Sequence, residues 1–159
     1  MFESFLPRSL EQGYRGHPVA RWVLVGLTLI TLARSLIHMF KYDGGAQSIA
    51  TIPLDTFTPG GSAAVVLIFA LWGLSQLLLG LVYVVVLWRY PALIPLVYLL
   101  FVAEYVGRGL LGLTNPVETV ETAPGARANI VFPILGAVMF FLALPRPSQR
   151  SPGAAAEAD

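Results

Sequence analysis

The sequence predicts an all-α membrane protein whose fold is a four-transmembrane-helix bundle. Of its 159 residues, 56% are hydrophobic and only 12% are charged, whereas an ordinary soluble domain has about 25% charged residues. The mean hydropathy is +0.72. The charged residues leave four apolar windows, and each approaches or exceeds the roughly 20 residues that a helix needs to cross a bilayer core.

These windows define the predicted elements in order. One transmembrane domain, residues 19–144, contains spans at 19–40, 61–88, 91–113 and 128–144. The third span begins at Pro91, because proline is favoured in the first turn, where its missing N–H has no helical partner. Only Arg89 and Tyr90 separate the second span from the third, which predicts a tight helical hairpin. The other two connections are long, and they are predicted to share the opposite side of the membrane.

Positive charge predicts the orientation of the spans. Six arginines lie on the side with both termini and the short hairpin, against one lysine and one arginine on the side with the long connections. Because cytoplasmic loops carry the excess of Lys and Arg, we expect a multi-pass protein of the cell membrane with both termini cytoplasmic. The charges compared are Arg8, Arg15, Arg21, Arg89, Arg146 and Arg150 against Lys41 and Arg127.

The segments outside the spans also carry patterns. Residues 1–18 mix polar and apolar side chains without a small-residue cleavage site, so they are interpreted as a cytoplasmic interfacial segment and not as a signal peptide. Residues 145–159 are rich in Pro, Ala and Ser and are predicted to be a disordered cytoplasmic tail.

In the first long connection, Asp43 and two glycines predict a turn, and residues 46–52 predict a short outer helix that caps the bundle. A solvated loop without a role is the alternative.

Two pairs of polar residues interrupt the apolar spans. Arg34 and His38 are four residues apart in the first span, as are Glu104 and Arg108 in the third, so each pair lies along one helix face. Both spans run outward from the cytoplasm. Arg34 lies 13 residues after Arg21, and Glu104 lies 13 residues after Pro91, which in each case is about 20 Å along a helix from the inner boundary. The two pairs are therefore predicted at matching depth, in the outer half of the bilayer.

A partner is expected for each of these charges, because an isolated charge at the bilayer centre costs on the order of 3 kcal/mol on insertion scales. If the first and third helices touch, Glu104 reaches Arg34 across the contact and Arg108 along its own helix. Gln76 in the second span lies deeper and is expected at the floor of a cavity. Arg127, at the outer start of the fourth span, is expected to extend the cluster.

The cluster is interpreted first as a pocket that opens outward and binds a small amphipathic or anionic ligand, or as part of an accessory module that holds a membrane partner. A second interpretation is a buried ion-pair cluster that sets helix register. Two others are a proton-coupled transporter, as a homodimer with Glu104 as carrier, and an enzyme acting on a lipid or quinone with Glu104 and His38 as catalytic candidates. The predicted ligand-binding residues are Arg34, His38, Gln76, Glu104, Arg108 and Arg127.

Residue types exclude several classes of function. The chain has no cysteine, which excludes a disulfide framework, a thiolate metal site and an iron–sulfur cluster. A bis-histidine haem is not expected, because His17 and His38 lie about 31 Å apart along one helix direction. Glu118 and Glu121 lack an evident third ligand, so neither a metal nor a cofactor is expected. A net charge of +1 gives no reason to expect nucleic acid, and the expected surroundings are the lipid bilayer.

The stretch "FALWGLSQLLLGLVYVVVLWRYPALIPLVYLLFVAEYVGRGLLGL" resembles the DoxX-like four-helix membrane proteins. The similarity lies in the glycine-flanked second span, the short basic turn and the "GRGLLGL" end of the third span. It extends over residues 20–144, mainly as a shared number of helices. Many members have an acidic residue in the second span, where this chain has Gln76. The resemblance implies quinone-side redox chemistry or partner proteins in the membrane.

Overall fold

The computed structural model describes residues 13–145, and within this range the chain is helical with no β-strand. Four of its helices are long and apolar enough to cross a membrane, which confirms the predicted fold class. Two short 3₁₀ turns, Leu54–Thr56 and Pro91–Leu93, lie in the connections. The four helices are α1 (Pro18–Phe40), α2 (Pro59–Arg89), α3 (Ile94–Thr114) and α4 (Pro124–Ala143).

Each long helix has a proline in its first turn, where the missing N–H leaves no helical hydrogen bond unmade. These prolines are Pro18, Pro59, Pro95 and Pro124. At the start of α1, the His17 ring nitrogen accepts a hydrogen bond from the backbone N–H of Val19 at 3.1 Å. At the start of α2, the Thr58 hydroxyl accepts from Gly61 N–H at 3.2 Å. These side chains satisfy N–H groups that a helix terminus leaves free.

The helices form a bundle in which α1 packs along α2 and α3 packs along α4. The pairs α1–α4 and α2–α3 are in looser contact, so α1 and α3 lie on a diagonal of the bundle. Two hydrogen bonds cross that diagonal. The Tyr98 hydroxyl on α3 donates to the Ala20 carbonyl oxygen on α1 at 2.6 Å, and Arg34 on α1 donates to the Tyr105 hydroxyl on α3 at 3.0 Å. The largest side chains of the core are aromatic residues of α2 and α3, namely Tyr83, Tyr98, Phe101 and Tyr105.

Glycines on α2 allow α1 to approach closely. A Cβ at Gly73 would lie 2.8 Å from the His38 Cβ and 3.0 Å from the Ser35 carbonyl oxygen. A Cβ at Gly80 would meet the Leu32 side chain at 2.8 Å. Small residues at a helix interface are a usual means of close packing in membranes, and here they hold the His38 end of α1 against α2.

Hydrogen bonds at the two ends of the bundle show which connections lie together. At one end, the His17 N–H donates to the Leu142 carbonyl oxygen at 2.7 Å. At the other, the Val120 N–H donates to the Thr51 carbonyl oxygen at 2.9 Å, and the Thr51 hydroxyl donates to the Glu121 carbonyl oxygen at 2.7 Å. The two long connections therefore share one side of the bundle, as predicted. Residues 1–12 and 146–159, which hold most of the predicted interfacial segment and tail, lie outside the described range.

The helix predicted over residues 46–52 is wrong, because residues 46–50 form turns and residues 51–52 have no regular structure. The carboxylate of Asp43 accepts hydrogen bonds from the backbone N–H groups of Gly45 at 3.0 Å and Ser48 at 2.6 Å. Such side-chain bonds compete with helical ones. In addition, Thr51 within the segment has a φ of +57°, which a right-handed helix does not allow. Gly44 and Gly45, directly before the segment, have φ values of +59° and +78°.

The turns nevertheless cover the end of the bundle as the sequence predicted. Three apolar side chains of residues 41–58, here called the cap, are buried against α2. They are Ala46, Ile52 and Leu54, and they pack on Val65, Val66 and Phe69. The cap is thus a second, small hydrophobic cluster over the loop end of the bundle.

Candidate functional site

Residues from α1, α2 and α3 form one hydrogen-bonded cluster in the half of the bundle nearest the cap. Arg34 donates from Nε to the Gln76 side-chain oxygen at 3.0 Å and from Nη1 to the Tyr105 hydroxyl at 3.0 Å. Gln76 in turn donates from Nε2 to the carboxylate of Glu104 at 3.1 Å. Arg108 forms an ion pair with the same oxygen of Glu104. Four predicted site residues are therefore joined, with Tyr105 as an additional member.

The direct contact expected between Arg34 and Glu104 is replaced by a bridge through Gln76. Gln76 on α2 accepts from the arginine of α1 and donates to the carboxylate of α3, so it lies between the two charged groups. The glutamine amide is suited to this position, since its oxygen accepts from the guanidinium and its nitrogen donates to the carboxylate. Gln76 is only 3% exposed and does not line the neighbouring cavity, so it does not form the expected cavity floor.

Both guanidinium groups also lie against the same two aromatic rings. The Arg108 guanidinium carbon is 4.7 Å from the ring centres of Trp72 and of Tyr105. The corresponding distances for Arg34 are 5.6 Å and 5.9 Å. Guanidinium groups are attracted to aromatic faces at such distances. The rings therefore help to hold two like charges in one region of the bundle.

His38 links the cluster to the cap. Its Nδ1 lies 2.7 Å from the Gly44 carbonyl oxygen, so this nitrogen carries the proton and donates to the cap. The ring also packs on Trp72, with 4.6 Å between ring centres, and edge-on to Phe69 at 5.5 Å. The first role that the structure gives to His38 is therefore to connect α1, α2 and the cap.

A cavity of about 440 Å³ lies beside this cluster. Its volume falls in the usual range of small-ligand sites, about 300–1,000 Å³. Most of its wall is apolar, and polar groups converge on one part of it. The polar lining residues are Arg34, His38, Tyr105, Arg108 and Asn129, and the large apolar ones are Ile30, Ile37, Ile49, Phe69, Trp72 and Phe132.

The predicted site residues are not all placed at this cavity. Arg34, His38 and Arg108 line it, whereas Gln76 and Glu104 do not. Arg127 is exposed on α4 and is also absent from the lining. Asn129, two residues further along α4, faces the cavity in its place.

Two important residues, Trp72 and Tyr105, were missed by the sequence reasoning. A signal for Trp72 was present in the sequence. Tryptophan is enriched at membrane interfaces, so a tryptophan well inside a predicted span is unusual. Trp72 also precedes Gln76 by four residues, which places both on one helix face. Tyr105 gave no comparable signal in the sequence.

The charges of the cluster do not balance. Arg34 and Arg108 contribute two positive charges, and Glu104 contributes one negative charge. Within residues 13–145 the ion pair of the cluster joins Arg108 to Glu104, while Arg34 donates to the neutral acceptors Gln76 and Tyr105. One positive charge is therefore left beside a mostly apolar cavity, where an anion is attracted more strongly than it is in water.

Fold and site together define a multi-pass helical membrane protein with a cationic cavity at one end of its bundle. Comparisons with protein-family models, with curated proteins and with solved structures found no match. The resemblance to the DoxX-like proteins stays a prediction.

Proposed function

We propose that this chain is a membrane-embedded binding module for a small amphipathic ligand with an anionic or carbonyl-bearing head group. The head group accepts hydrogen bonds from the guanidinium groups of Arg34 and Arg108. The apolar part of the ligand lies against the aliphatic and aromatic wall of the cavity. With both termini cytoplasmic, this cavity is in the outer half of the membrane.

The observation that carries the proposal is the uncompensated charge of Arg34 at the wall of a cavity. If the cluster served only to join helices, we would expect one carboxylate for each guanidinium, because burial of an unpaired charge is costly. Arg34 is instead held by Gln76 and Tyr105, which orient the guanidinium without neutralising it. Arginine arranged in this way is suited to planar acceptors such as carboxylates.

Trp72 allows the proposal to be tested by fluorescence. The chain has three tryptophans, and Trp22 and Trp88 are 72% and 82% exposed. Replacing these two by phenylalanine leaves Trp72, which contacts both guanidinium groups, as the sole reporter. Dodecanoate added to this protein in lipid nanodiscs is expected to change the Trp72 emission saturably, and dodecanol, which lacks the charge, is expected to have a much smaller effect.

Arg34→Met in the same background is expected to weaken dodecanoate binding about 10- to 100-fold, because a hydrogen bond to a charged group contributes about 1.5–3 kcal/mol. Arg21→Met is the matched control, since it removes a charge from the same helix far from the cavity and should leave binding unchanged. A different outcome would support a purely structural cluster: no saturable response in any variant, with Arg34→Met destabilising the fold and Arg34→Met/Glu104→Leu restoring it.

A further inference from the structure

The cavity lies in a cleft between α1 and α4 whose two ends differ. At the end near the termini the helices are held together, since the His17 N–H donates to the Leu142 carbonyl oxygen at 2.7 Å. Gly16 also packs there on Ala143, where a Cβ would lie 2.4 Å from the carbonyl oxygen. Toward the cap the cavity occupies the space between the helices, so the cleft widens in that direction.

The side of this cleft is apolar and exposed. Ile30, Arg34 and Ile37 follow one another at spacings of four and three residues, so they lie on one face of α1. All three line the cavity, yet Ile30 and Ile37 are 52% and 40% exposed. They therefore lie at the mouth of the cleft, with their outer surfaces in the position of the lipid chains.

The end of the cavity that faces the loops is covered by the cap. Gly45, Ile49 and Ala50 contribute to its wall there. The cap is fixed on one side to His38 through the Gly44 carbonyl oxygen at 2.7 Å. On the other side, Thr51 is bonded to the second loop at Glu121. Both anchors hold the cap over the cluster, where it covers the end of the cavity that faces the aqueous phase.

From this geometry we propose that the ligand is a single-chain carboxylate that enters sideways from the outer half of the bilayer, between α1 and α4. This inference rests on the proposed function and specifies its ligand class and route. The carboxylate binds Arg34 and Arg108, and the chain passes between Ile30 and Ile37 into the lipid.

Charge and size favour this ligand class. A carboxylate carries one negative charge, which matches the one positive charge left by Arg34, Arg108 and Glu104, whereas a phosphomonoester carries nearly two at pH 7. The cavity of about 440 Å³ lies near the lower end of the usual range for ligand sites. It is suited to a head group and the first part of one chain, while the remainder of the chain stays in the bilayer.

The route is tested by closing either opening with a cross-link, which is simple in a chain without cysteine. Ile37→Cys with Gly125→Cys places two thiols on opposite sides of the cleft, since both residues line the cavity from α1 and α4. Thr51→Cys with Glu121→Cys is the matched pair between the cap and the second loop. Both pairs are joined by the same bifunctional thiol reagent, in nanodiscs and in the background with Trp72 as sole tryptophan.

The rate of the Trp72 response is then measured after mixing with vesicles that contain dodecanoate. We expect the cross-link between α1 and α4 to slow the response at least tenfold, and the cross-link at the cap to change it less than twofold. Dodecyl phosphate at pH 8 should bind more weakly than dodecanoate.

Three results would overturn the proposal while leaving the proposed function intact. They are slowing only by the cap cross-link, equal slowing by both cross-links, and tighter binding of dodecyl phosphate. A loss of all saturable response to either probe before cross-linking would instead overturn the proposed function itself. If the double-cysteine pair in the cleft prevents folding, Ile30→Phe, which narrows the mouth from α1 alone and adds no second tryptophan, should slow the response in the same way.

Discussion

Replacing Gln76 by leucine tests whether the bridge between Arg34 and Glu104 stabilises the bundle. Gln76 is 3% exposed and makes two side-chain hydrogen bonds, of 3.0 Å and 3.1 Å, each to a charged partner. Gln76→Leu removes both bonds and leaves the Nε of Arg34 without its acceptor.

The expected loss of stability follows from these two bonds. Hydrogen bonds between membrane helices contribute about 0.6 kcal/mol on average and up to about 1.7 kcal/mol, and bonds to charged groups lie toward the upper value. Two such bonds give about 3 kcal/mol, from which the apolar packing of leucine subtracts a part. We therefore expect Gln76→Leu to lower the free energy of unfolding by about 2 kcal/mol.

The measurement is an equilibrium SDS titration in mixed micelles, followed by helical circular dichroism. Ser75→Leu is the matched control, because Ser75 is the adjacent residue of α2, is exposed, and donates to the Leu71 carbonyl oxygen of its own helix. That variant should change the stability by less than about 0.5 kcal/mol, as surface changes usually do. Equal stability of the two variants would refute the bridge as a stabilising element.

Three further predictions concern packing, a buried hydroxyl and the cap. Gly73→Ala should destabilise the bundle by about 1–3 kcal/mol, and by more than Gly80→Ala does. The new Cβ at position 73 would meet backbone, whereas the one at position 80 would meet the flexible end of a side chain. SDS titration measures both losses. Tyr98→Phe should cost about 1 kcal/mol through its lost hydrogen bond, whereas Tyr83→Phe should cost nothing, since within residues 13–145 the Tyr83 hydroxyl has no partner. Burial raises the pKa of the Asp43 carboxyl, but hydrogen bonds from the cap outweigh this and lower it to about 2. The carboxylate therefore stabilises the cap fully above about pH 4, and this stabilisation is lost as the pH falls through about 2; amide hydrogen exchange of residues 43–50, compared at pH 5 and near pH 2, measures it.

Each of these three has a clear contrary result. Equal losses for Gly73→Ala and Gly80→Ala would mean that α1 shifts freely against α2. A larger loss for Tyr83→Phe than for Tyr98→Phe would show that the Tyr83 hydroxyl has a partner of importance. Asp43→Ala should speed exchange in the cap at pH 5, and unchanged exchange there would remove the carboxylate as its organiser.

Local patterns in the sequence were sufficient for the four helices, for the side on which the long connections meet, and for four members of the polar cluster, Arg34, Gln76, Glu104 and Arg108. Hydropathy is a property of a single window of about 20 residues, so each span is evident without knowledge of its neighbours. The placing of Arg34 and Glu104 at similar heights along their helices also followed from residue counts, because the rise per residue of a helix is constant.

Only the tertiary structure decided which of these side chains meet. Residue counting gives height along a helix but not the rotation of that helix about its axis, which depends on how it packs against the other three. That rotation makes Gln76 the bridge, brings Trp72 and Tyr105 to the guanidinium groups, and turns Arg127 away from the cavity. The widening of the cleft between α1 and α4 likewise depends on contacts between residues more than a hundred positions apart, which no local pattern contains.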